Sequence, residues 1–203
     1  MKLEEFNTIV NNLIKEIPQE LQKTNVIVAQ SAIPLITNRL INEGKTAEGK
    51  SLGKYSDKPI SALFFIGKSL GSGGDKKVSD YAKKNGGKLS YEEFRKLNGR
   101  PTNHVTLSFS GETLQDIGVL STVVNGNKVK TVVGSLDRHK KDVRGKGGKK
   151  TGTIGTEQVL ENLDAKYGKA LDTELLALSK KEQDMLEKVY ENRIQKFIDN
   201  YFK

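Results

Sequence analysis

Apolar residues recur at three- and four-residue steps near both ends of this chain and at two-residue steps in its middle. Leu3, Phe6, Ile9, Val10, Leu13, Ile14 and Ile17 mark one stripe of an amphipathic helix, the spacing that brings side chains onto a single face. Pro18 is expected to end or interrupt it, because proline lacks the N–H that a helix interior uses. Leu21, Val26, Ile27, Ala29, Ile33, Ile36, Leu40 and Ile41 continue the spacing over residues 19–43, which predicts a second helix kinked at Pro34. Gly44 then stands where a left-handed C-cap belongs. Toward the other end, Ser179 with Glu182 three residues later reads as a capping box. Met185, Leu186, Val189, Tyr190, Ile194, Phe197, Ile198 and Tyr201 then form the stripe of a long C-terminal helix.

Between the helices the period changes. Val105, Leu107 and Phe109 alternate with Thr106 and Ser108, predicting a short strand. Residues 110–117 read as a short helix or turn with Leu114 and Ile117 facing inward and Gly118 ending it. The β-branched runs 119–124 and 129–133, separated by Asn125-Gly126-Asn127-Lys128, predict a hairpin. Residues 45–100 show no sustained period beyond a short helical stretch at 91–97, so they are expected to be an extended loop or insertion with an interaction role, such as subunit contacts, or with partial disorder. The fold class expected is α+β: a small antiparallel sheet with a hairpin, packed against long N- and C-terminal helices in a single domain over residues 1–203, with long basic loops.

Charge changes this picture more than composition does. The chain has 203 residues, 34 Lys plus Arg against 25 Asp plus Glu, and a net charge of +9. Residues 45–150 carry about +12 of it, between two nearly neutral ends. The densest piece is Arg138, Lys140, Lys141, Arg144, Lys146, Lys149 and Lys150, interspersed with Gly145, Gly147 and Gly148. Like charges spaced by glycine repel and have little to pack, so residues 136–155 are expected to form a flexible basic loop facing DNA or an acidic partner, or simply solvent.

Candidate chemistry is sparse. The absence of cysteine excludes disulfides, thiolate zinc sites and cysteine nucleophiles. His104 and His139 are the only histidines, and neither has an acidic partner at a recognisable catalytic spacing. The pairs Asp75 with Asp80 and Glu92 with Glu93 are of a kind that any acidic surface supplies. Gly67-Lys68-Ser69 resembles the end of a phosphate loop, but Ala62 stands where the first glycine is required and the intervening residues are apolar. No enzyme, cofactor or metal is therefore expected. Residues 1–10 lack the basic-then-apolar order of a secretory signal, and no apolar run reaches a membrane-spanning length of about 18 residues, so a soluble protein with no membrane partner is expected. Nucleic acid suits the central charge, but the basic stretch lacks interleaved aromatics, so binding would be nonspecific and salt-sensitive.

Three stretches taken in order resemble one family. Residues 44–56, GKTAEGKSLGKYS, follow a long helix and include Tyr55 and Ser56. Residues 105–117 carry Leu107, Gly111 and Leu114 ahead of a valine-rich hairpin. Tyr167, Gly168, Leu178, Ser179 and Glu182 precede and open the last helix. This order, over about residues 26–200, is similar to that of tailed-bacteriophage virion morphogenesis proteins, the neck or tail-completion proteins of the head–tail connector. It departs from them in having Lys54 before Tyr55 in place of a tryptophan, a longer stretch at 57–100, and a Gly-Lys loop between hairpin and last helix. The resemblance implies a non-enzymatic structural subunit of the virion, assembled in the host cytoplasm. It would form a homo-oligomeric ring between the capsid portal and the tail, contact adjacent neck or tail proteins, and touch packaged DNA without sequence preference. The composition by itself supports an alternative, a free nonspecific nucleic-acid-binding protein acting through its basic loops.

Overall fold

The computed structural model describes residues 2–69, 73–107, 112–125, 128–144, 150–171 and 174–202. The first element is one continuous helix, α1 (Leu3–Asn38), extended by a wider π-helical turn, Arg39–Glu43. Pro18 and Pro34 both lie inside α1 and do not end it. The carbonyls that they deprive of a partner belong to Ile14 and Gln30, both on exposed residues where water can take over the hydrogen bond. The expected break at Pro18 therefore does not occur, because the hydrogen bond it removes falls on the solvent side of the helix. Gly44 closes the element in the left-handed conformation, φ 60° and ψ 39°, as its position predicts. A Cβ at residue 44 would collide with the His104 side chain, so space as well as backbone angle requires glycine there.

Residues 45–100 fold further than an extended loop. They contain β1 (Ile60–Ser61), a 3-10 turn (Ala62–Phe64), α2 (Gly74–Lys84), β2 (Lys88–Leu89) and α3 (Tyr91–Leu97). Strands β1 and β2 pair antiparallel, Ile60 opposite Leu89. Ala62, Phe65, Val78, Ala82, Leu89 and Phe94 form a small core of their own, flanked by Tyr81, Tyr91 and Leu97. The unit escapes notice in the sequence because each of its elements is short and its apolar positions are few. Ser90 caps α3, accepting from the Glu93 N–H at 3.1 Å while Glu93 accepts from the Ser90 N–H at 2.7 Å. The Gly67-Lys68-Ser69 turn folds around an anion from its own chain, since the Gly67 N–H donates to Asp75 in the first turn of α2 at 2.9 Å.

The expected strand at 105–109 is absent over its described part, and Ser108 and Phe109 lie outside the described residues. Val105 and Thr106 are both buried and Leu107 adopts φ 52°. The alternation fails because Thr106, a polar position, also points inward to hydrogen-bond partners. A short helix, α4 (Glu112–Gln115), leads into β3 (Ile117–Asn125) and β4 (Lys128–Ser135), the predicted hairpin. Its register runs from Ile117 opposite Ser135 to Asn125 opposite Lys128, with a bulge after Val119. Leu114 and Ile117 are buried as expected, whereas Gly118 ends no helix and pairs with Gly134 across the hairpin.

A further ribbon is formed by β5 (Lys140–Arg144) paired with β6 (Lys150–Gly155). Then follow α5 (Thr156–Leu163), a π-helical turn (Asp164–Gly168), α6 (Lys169–Leu171) and α7 (Lys180–Tyr201). Ser179 and Glu182 make the predicted capping box at the start of α7. The main core gathers Ile36, Leu40, Leu52, Val105, Leu114, Ile117 and Leu175 from separate stretches of the chain. Helix α7 runs back along α1, with Phe202 beside Phe6 at 6.5 Å between ring centres. A hydrogen bond to Glu16 raises the Tyr201 phenol to about 12. The architecture is α+β, as expected, with the strands among the described residues in three separate two-stranded sheets.

Candidate functional site

The strongest candidate in the sequence is the run of cations at 138–150, and its local structure starts at an aspartate that the run does not contain. Asp116 lies between α4 and β3 with no exposed side-chain surface. Its carboxylate accepts from the Arg138 guanidinium, Nε to Oδ1, at 2.7 Å and from the Arg138 backbone N–H, to Oδ2, at 2.9 Å. The same guanidinium donates to the Gln115 carbonyl at 2.8 Å. Burial alone would raise the Asp116 carboxyl, but the Arg138 and Thr156 side chains and the Arg138 backbone and charge outweigh it and hold it at about 2. Asp116 is thus ionised and clamps the base of the basic ribbon to the hairpin.

Other contacts tighten the same junction. Asp137, in the left-handed region at φ 49°, turns the chain out of β4, and the Thr156 hydroxyl donates to the His139 carbonyl at 3.0 Å. Gly155 sits so close to Asp137 that a Cβ would collide with the carboxylate. The flexible loop expected at 136–155 therefore contains a paired ribbon with a fixed base in its described part. Alternation of small residues and β-branched Thr and Ile on β6 supplies a partner strand that the charge pattern obscures.

The seven cations are not equivalent. Arg138 is half exposed but engaged with Asp116 and Gln115. Lys140 is exposed at the start of β5. Lys141 follows it on β5, and Arg144 and Lys150 are cross-strand partners at the far end of the ribbon. Lys146 and Lys149 lie outside the described residues. Backbone pairing alone thus brings two cationic residues opposite one another, an arrangement that favours a polyanion nearby.

The residues of the family resemblance collect elsewhere. Tyr55, Leu107, Tyr167 and Leu178 pack against the main core, of which Leu114 is a member. Tyr55 is held by a polar node: its phenolic oxygen accepts from the Thr106 N–H at 2.9 Å and lies 3.1 Å from the Thr106 hydroxyl. The buried Arg95 guanidinium stands 4.2 Å from the Tyr55 ring centre and donates to the Pro101 carbonyl and the Thr106 hydroxyl, each at 3.1 Å. Ser56 is exposed, and its carbonyl accepts from the Glu92 N–H at 3.2 Å, joining this loop to α3. Gly111 lies outside the described residues. Sequence reasoning missed Arg95, Asp116 and Arg39, because each finds its charged or aromatic partner only after folding.

His104 takes a structural place and His139 an exposed one. A ring nitrogen of His104 lies 2.9 Å from the Ile41 carbonyl, with the ring packed over Gly44, and His139 is exposed. Among the described residues, no group of three or more His, Asp or Glu is placed to hold a metal ion. No described helix is long and apolar enough to cross a membrane. No protein-family model, curated protein or solved structure matches the chain.

Proposed function

We propose that this chain is a non-enzymatic structural subunit of a tailed-phage virion. In this reading it assembles into a homo-oligomeric ring at the head–tail junction, between the capsid portal and the tail, and neighbouring neck or tail proteins dock on that ring. The observation that carries the reading is the convergence of the resembling motifs. Tyr55, Leu107, Leu114, Tyr167 and Leu178 come from stretches far apart in sequence and meet around one core. A ring subunit also needs a firm body and an adaptable charged surface, and the ribbon clamped through Asp116 and Arg138 supplies the second on the first.

Closure into a ring multiplies the ribbon's cations by the number of subunits, so that a modest charge per chain becomes a strong field along a DNA path. Tailed particles produced from the genome that encodes this chain should contain it at one fixed copy number, and the purified chain should form closed rings in electron micrographs. Particles lacking the protein would overturn the proposal.

The paired cations at Arg144 and Lys150 and the exposed Lys140 favour one second reading, a free nonspecific DNA-binding protein. That reading requires a monomer that binds duplex DNA with a steep salt dependence and is missing from particles.

A further inference from the structure

A cleft of about 680 Å³ opens between α3 and α5. Its floor is apolar, from Val105, Leu107, Val159 and Leu163, and Tyr55 and Tyr91 line it with their rings 5.4 Å apart. The charged side chains that line it are Lys54, Arg95 and Lys166, with no carboxylate among them. Arg95 is committed to the Tyr55 node, whereas Lys54 and Lys166 are exposed and make no ion pair among the described residues. Lys166 Nζ sits 4.9 Å from the Tyr167 ring centre. The cleft thus fits an apolar side chain flanked by negative charge.

The same chain presents such a segment. The first turn of α1 reads Leu3-Glu4-Glu5-Phe6, all four exposed, with Leu3 75% and Phe6 40% accessible. The buried residues of α1 are Thr24, Ala29, Ala32 and Ile36, so its first 21 residues lie outside the core and pack only partly on α7. This tip cannot enter the cleft of its own chain. The cleft adjoins the core that holds Ile36 and Leu40, and a helix running from residue 6 to residue 40 is about 50 Å long.

We propose that the Leu3–Phe6 tip of one copy docks in the cleft of a second copy, with Glu4 and Glu5 facing Lys54 and Lys166. This rests on the ring reading and deepens it. Tip and cleft are different surfaces, so the contact is head to tail, and each added copy leaves one of each free until the ring closes.

The chain contains no cysteine, which makes single-cysteine cross-linking clean. Full-length Leu3→Cys and Lys54→Cys variants, mixed under mild oxidation, should form the mixed disulfide in preference to either homodisulfide, with a yield that falls as salt rises. Lys54→Glu with Lys166→Glu should weaken assembly about tenfold or more, and Glu4→Lys with Glu5→Lys in the same chain should restore it. These positions are exposed, and circular dichroism checks that each variant folds. Rings that yield only homodisulfides would overturn this contact while leaving the ring reading intact. A chain that stays monomeric by native mass spectrometry up to its solubility limit would overturn both. Protection of Lys54→Cys from maleimide by single-stranded DNA, without assembly, would assign the cleft to nucleic acid and overturn the proposal.

Discussion

Arg39 Nε lies 3.0 Å from Glu182 Oε1, both side chains less than a tenth exposed, and this pair joins the end of α1 to the first turn of α7. The guanidinium also donates to the carbonyls of Lys45 at 3.0 Å and Ala177 at 2.6 Å, while Glu182 accepts from the Ser179 N–H at 2.7 Å. Both members of the pair therefore have a use beyond the ion pair itself. Removing one member leaves a buried charge without its counterion, which costs about 3–5 kcal/mol, more than the pair contributes against an apolar replacement. Arg39→Ala and Glu182→Gln should each lower the urea midpoint strongly. With Arg39→Met and Glu182→Leu as the two single variants, their double variant should be destabilised by less than the two single effects combined. Additive effects in the double variant would contradict the coupling.

The acid limb of stability should report the Asp116 clamp. The folded carboxyl sits at about 2, below its ordinary value of 3.8. A group whose folded pKa is depressed contributes stability that is fully present above its unfolded pKa and disappears as pH falls through the folded one. For Asp116 that window runs from about pH 4 down to about pH 2. Asp116→Asn should be less stable than the parent near neutral pH and should show a flatter decline across that window. Urea midpoints measured at closely spaced pH values test it. An unchanged slope in the Asn variant would show that other carboxylates set the acid limb.

At Gly44 the backbone angle and the His104 ring act together. Any side chain there carries the left-handed backbone cost of about 1–2 kcal/mol and must also displace the ring from the Ile41 carbonyl. Gly44→Ala should therefore lower the melting temperature well beyond the decrease seen for an ordinary surface Gly→Ala change. Combining it with His104→Ala should relieve the steric part, so the double variant should be more stable than the sum of the single effects requires. Thermal unfolding of the three variants measures this coupling directly.

What could be read ahead of the structure were features whose cause is local. The Ser179 to Glu182 box, the glycine after residue 43 and the two β-branched runs that pair as β3 and β4 each depend on residues close to one another in sequence, and all three stand where expected. Pro18 misled because its helix-breaking tendency is also local, but the carbonyl it leaves unpaired belongs to the exposed Ile14 and the helix continues through it. Thr106 misled because its hydroxyl is satisfied by Tyr55, 51 residues away, and by Arg95, which turns a polar position inward. The long-range pairs were invisible for the same reason. Arg39 and Glu182 are separated by 143 residues and Asp116 and Arg138 by 22, with no periodicity linking either pair. Of the basic stretch, the charge was legible in the sequence, but the division between a structural Arg138 and an available Lys140 was not.

That division predicts different behaviour from two neighbouring cations. Lys140 is exposed on β5, whereas the Arg138 guanidinium is held by Asp116 and Gln115. If the ribbon meets duplex DNA, removing one cation that neutralises a phosphate should flatten the slope of log affinity against log salt by about 0.9. Lys140→Gln should show such a flattening with little change in folding stability. Arg138→Gln should do the reverse: it leaves Asp116 buried without its cation, destabilises the junction of ribbon and hairpin, and exposes β5 and β6 to proteolysis. The salt slope of its folded fraction should stay close to the parent value. Fluorescence anisotropy with a labelled duplex over a salt series, run beside limited proteolysis, separates the two effects. Equal flattening in both variants, or no binding at the lowest salt, would contradict this division of roles between Arg138 and Lys140.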